Sequence, residues 1–128
     1  METLTTKGIT INVETYFLED QSNPSKSHFC HAYQINILNN SDRKVKLLSR
    51  HWIIRDSNKE DREVIGNGVV GEQPELSPGE FYEYVSWCPI ESEIGEMYGA
   101  FVMLDMDSED RFDVVVPKFQ LIFPPKLN

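Results

Sequence analysis

Residues 47–80 read LLSRHWIIRDSNKEDREVIGNGVVGEQPELSPGE. The stretch opens as an apolar strand, passes a charged turn, crosses Gly66, Gly68 and Gly71, and closes in two turns at Pro74 and Pro78. The three glycines match GxGxxG, which in a dinucleotide-binding fold joins a strand to a helix whose first amides face a pyrophosphate. Here Glu72, Gln73 and Pro74 follow, and proline excludes both a helix interior and a central strand. The glycines therefore read first as structural, placed where a β-bend needs positive φ or close backbone approach. A ligand-binding alternative keeps Gly66, Gly68 and Gly71 as a cradle of amides that receives an anion without a helix.

The strand ahead of the glycines, residues 44–55, is apolar on both faces. Simple alternation puts Val45, Leu47, Ser49, His51 and Ile53 on one side and Lys46, Leu48, Arg50, Trp52 and Ile54 on the other. A strand apolar on both sides is covered on both sides, by the core and by a loop or partner. Arg50, Trp52 and Ile54 are the residues this assigns to a partner surface.

Working outward, residues 8–18 alternate Ile9, Ile11 and Val13 with Thr10, Asn12 and Glu14, the pattern of a half-buried strand. Residues 29–39 form a second long strand, and Asn39 to Asp42 supply a tight reversal. Strand character returns at 81–87, 97–105 and 111–123, with Pro117 calling for a sheet edge or a bulge. Six or seven strands with no helical period predict an all-β fold, an antiparallel β-sandwich of immunoglobulin-like or fibronectin type III-like topology. With 128 residues and no internal repeat, residues 1–128 read as one domain.

The chain carries a net charge of −9, and its acidity rises toward the C-terminus. No basic stripe offsets it, which argues against a nucleic-acid partner. No apolar run reaches the roughly 20 residues that span a bilayer, and the opening METLTTKGIT lacks a secretory signal's regions, so a cytoplasmic protein with no membrane partner is expected. Cys30 and Cys88 stand outside any CxxC pair and read as reduced, partly buried thiols. His28 and His31 fall on opposite sides of a strand and cannot chelate together, so no metal site is assigned. Asp105, Asp107, Glu109 and Asp110 resemble half a calcium loop, but Asp110 and Val116 stand where glycine and glutamate are needed. An acidic hairpin turn accounts for them better. No nucleophile can be paired with His51, so no catalytic residue and no cofactor are assigned.

Several ordered motifs together, LLSRHWII at 47–54, VIGNGVVGEQPELSPGE at 64–80, YVS at 84–86, IGEMYG at 94–99 and FDVVVPKFQL at 112–121, resemble the ApaG family over nearly the whole chain. The resemblance implies a fibronectin-type or immunoglobulin-like sandwich, the fold read independently from the strands. It also implies a genetic association with cobalt and magnesium resistance or efflux, and gene neighbourhood with a diadenosine tetraphosphatase. Similar domains in eukaryotic F-box proteins and a polymerase delta-interacting protein look like protein-interaction modules, and the glycine motif has prompted a proposed pyrophosphate-binding role. The resulting expectation is a non-enzymatic binding module with an unidentified protein partner. The alternative is a sensor of pyrophosphate or a phosphorylated small molecule through Gly66 to Gly71.

Overall fold

The computed structural model describes residues 1–57 and 59–127. Nine strands are found among them: β1 (Glu2–Thr6), β2 (Ile9–Phe17), β3 (Phe29–Asn39), β4 (Val45–Asp56), β5 (Arg62–Asn67), β6 (Glu75–Leu76), β7 (Phe81–Ile90), β8 (Ile94–Asp105) and β9 (Arg111–Ile122). They form two antiparallel sheets, ordered β1-β2-β3-β7 and β5-β4-β8-β9, with β6 paired to the start of β4. The result is the expected β-sandwich.

The six strands read from the sequence are present, with three additions, β1, β5 and β6. Glu2–Thr6 forms an edge strand joined to β2 through Lys7 and Gly8, both with positive φ. Every residue of β1 but Thr6 is exposed, so burial imposes no alternation that could have revealed it. Pro117 meets both conditions expected of it. It lies on the edge strand β9, and the β8–β9 register slips so that Pro117 and Lys118 together oppose Tyr98.

A second slip changes the reading of β4. Leu47 pairs with Met103 and Ser49 with Val102, so Leu48 is an extra residue in the strand. One inserted residue exchanges the faces of everything after it. Val45 and Leu47 point inward before the bulge; Trp52 and Ile54 point inward after it. The expectation that Arg50, Trp52 and Ile54 oppose Val45 and Leu47 is thereby overturned: Trp52 and Ile54 join Val45 and Leu47 in one core, and Arg50 is half-buried beside them. Trp52 is 2% exposed and stands edge-on to Tyr33, Phe101 and Phe119 at centroid distances of 5.7, 6.0 and 5.9 Å. It joins the two sheets at their centre. Trp52→Ala should cost about 3–5 kcal/mol, measured as a fall in the urea midpoint with the slope unchanged.

Candidate functional site

The glycine stretch closes around the bulge. The Leu48 carbonyl, displaced from the ladder, accepts the Gly68 N–H at 2.9 Å and the Gln73 side-chain amide at 2.9 Å. Val69 and Glu72 exchange both backbone hydrogen bonds, closing a two-residue turn over Val70 and Gly71, each with positive φ. Three amides of the motif's neighbourhood, those of Gly68, Val69 and Glu72, are thus donated to the chain's own carbonyls. Val70 and Gly71 form the turn's tip.

The glycines differ in what they provide. A Cβ at Gly68 would stand 2.1 Å from the Glu72 carbonyl oxygen, so the turn closes only over a hydrogen. A Cβ at Gly66 would stand 2.8 Å from the Arg50 guanidinium. Arg50 lies across the bare backbone there, and its Nη1 donates to the Asn67 and Gly68 carbonyls at 2.9 Å each. The loop therefore turns acceptors toward a cation that the fold already supplies. Its charge reaches Tyr33 and Tyr84, whose phenols burial nevertheless pushes up.

Of the three residues assigned to a partner surface, then, Trp52 and Ile54 belong to the core and Arg50 is engaged with the glycine loop. Residues not singled out from sequence take their place on the surface. Trp87 and Phe81 are each 62% exposed on the outer face of β7, and Ile65 is exposed on the edge strand β5. The signal was present in FYEYVSW, where Phe81, Val85 and Trp87 share one face while Tyr82 and Tyr84 share the other.

The metal candidates resolve into structural roles. His31 is buried against the edge of Phe17, and burial lowers its pKa to about 4. Asp105 is buried in the hairpin turn; burial works against its ionisation, but the Ser108 and Asp107 amides and the Arg43 guanidinium outweigh it and hold the carboxyl below its usual range. The Arg43 contact is 2.6 Å. Cys30 and Cys88 are free and buried, and burial raises the Cys88 thiol to about 11. Among the described residues no three His, Cys, Asp or Glu side chains are placed to hold a metal. None of the described helices is long and apolar enough to cross a membrane.

Comparison with known proteins gives a consistent answer. A family model described as the ApaG domain matches residues 19–105. Protein ApaG of Paramagnetospirillum magneticum is 44% identical over 131 residues, covering 100% of both chains. Protein ApaG of Rhizobium leguminosarum bv. trifolii is 46% identical, over 96% of this chain and 94% of its own. The crystal structure of the putative ApaA protein from Bordetella pertussis superposes with a TM-score of 0.87 at 38% identity, covering 91% of this chain and 94% of that one.

The buried imidazole sets a pH dependence. A folded-state pKa near 4 against 6.5 unfolded means that the neutral form is favoured by folding, so its contribution is full above the unfolded value and is lost as pH falls. Stability should drop by about 3 kcal/mol between pH 7 and 4. Urea denaturation across that range, with His31→Gln as the variant that flattens the profile, checks it.

Proposed function

The chain belongs to the ApaG family, and on that premise we propose that it is a non-enzymatic, single-domain binding module acting through a protein partner. The supporting observation is the exposure of Phe81, Val85 and Trp87 at alternate positions along the outward face of β7. Isolated exposed apolar residues are ordinary, but one strand presenting two aromatic rings and a valine outward on a single face has the composition of an interaction surface. The family's association with cobalt and magnesium resistance or efflux then passes through the partner, consistent with carboxylates that serve as caps and ion pairs inside the fold.

The alternative, a pyrophosphate or phosphorylated small molecule held at Gly66 to Gly71, has less support. The loop amides of Gly68, Val69 and Glu72 are committed, and Glu72 and Glu75 stand exposed beside the turn. An anion there meets carboxylates before it meets free donors.

Affinity capture from a native lysate of the producing organism, followed by mass spectrometry, should recover a partner reproducibly with the wild-type chain. Trp87→Ala, which alters an exposed position and leaves the melting temperature unchanged, should recover less of it. Failure of the wild-type chain to retain any protein sinks the reading. Calorimetry with pyrophosphate and with nucleotides at millimolar concentration should show no heat; a saturable signal abolished by a substitution in the Val70–Gly71 turn would instead support the anion site.

A further inference from the structure

The two outer faces of the sandwich differ in charge. On the β5-β4-β8-β9 sheet, Arg55 contacts Asp61 and Glu96, Lys118 contacts Glu96, and both cations lie over the Tyr98 ring. Those charges are paired within the face. The opposite face is built by the outward residues of β2, β3 and β7, whose register sets them in rows: Tyr16, Ala32 and Trp87; Glu14, Gln34 and Val85; Asn12, Asn36 and Glu83; Thr10, Leu38 and Phe81. No lysine or arginine occurs in these rows. Neither Glu14 nor Glu83 has an ion-pair partner among the described residues; Glu14 accepts the Tyr16 hydroxyl at 2.6 Å, and Glu83 accepts the Asn36 amide at 3.3 Å.

One row carries two exposed rings: Tyr16, 47% exposed, and Trp87, 62% exposed, flank the buried Ala32. Two strand spacings place those aromatic residues about 10 Å apart at the backbone. Along the strands from this row, Met1, Asn12, Glu14, Gln34, Asn36 and Glu83 line a shallow trough of about 300 Å³. Exposed aromatic rings beside two carboxylates that have no ion-pair partner among the described residues match the side chain of lysine or arginine, its stem on a ring and its charge beyond.

We propose that this face docks a basic, extended segment of the partner protein, with Lys or Arg side chains resting their stems on the exposed Tyr16 and Trp87 rings and turning their charges toward Glu14 and Glu83. The inference rests on the protein-binding reading above and names the partner's chemistry. The −9 net charge steers such a segment from a distance, and no lysine or arginine in the rows of the face opposes it.

The test uses the full chain with a short Arg-rich peptide, its Gln-substituted twin, and a neutral oligosaccharide, followed by tryptophan fluorescence and calorimetry at low and high salt. Trp52 is buried, so a fluorescence change reports Trp87. The Arg-rich peptide should bind with an affinity that falls as salt rises, and Trp87→Ala or the pair Glu14→Gln and Glu83→Gln should weaken it about tenfold or more, which is roughly 1.4 kcal/mol. The pair Asp107→Asn and Glu109→Gln removes the same charge from the distant hairpin turn and should change little. Equal weakening by that control pair, equal binding of the neutral peptide or the saccharide, or no binding of the basic peptide overturns the proposal. Repeating the lysate capture separates the two readings: a partner retained undiminished by the Glu14→Gln and Glu83→Gln pair removes this face and leaves the module, whereas capture of nothing removes the module itself.

Discussion

The extra residue at Leu48 is the constraint on which the rest of the molecule depends. A strand of regular alternation could not send Val45, Leu47, Trp52 and Ile54 to the same side, because two of them are odd and two even in the count. The bulge resolves the conflict by inserting one residue. Its consequence is that β4 feeds a single core along its length, and that Trp52 reaches the aromatic contacts joining the sheets. The assignment of Arg50, Trp52 and Ile54 to a partner surface follows from counting without the bulge.

A bulge leaves a carbonyl outside the ladder, and a half-buried acceptor without a donor is costly. The glycine stretch supplies the donors. Gly68 and Gln73 both reach the Leu48 carbonyl, and the same turn offers its own carbonyls to Arg50. Bulge, arginine and glycines are therefore one structural unit, and that unit accounts for the GxGxxG pattern. The resemblance to a phosphate loop is a resemblance of spacing: in both settings glycine lets backbone come close to something, here an arginine and another carbonyl.

With β4 turned inward, the surface available for recognition moves to the other sheet. The β5-β4-β8-β9 face pairs Arg55 and Lys118 with carboxylates and stacks both on Tyr98. The rows of the β2-β3-β7 face carry aromatic rings and carboxylates without a lysine or arginine. Surface ion pairs contribute little to stability, so the asymmetry between the faces is more naturally a matter of what each one attracts. An acidic, aromatic, amide-rich face favours a basic partner over phosphate or nucleic acid.

The sequence by itself determined the all-β class, the long strands from Ile9 to Ile122, the turn at Asn39 to Asp42 and the fate of Pro117, because burial on one side of a sheet writes itself as alternation. The ordered motifs also marked the family. It could not reveal β1, which buries too little to alternate, nor the bulge at Leu48, since both faces of residues 44–55 are apolar and either register satisfies the count. For the same reason it misplaced Trp52 and Ile54 and passed over Trp87. Which apolar face meets the core and which meets solvent is decided by the pairing of distant strands, and only the tertiary structure holds that information.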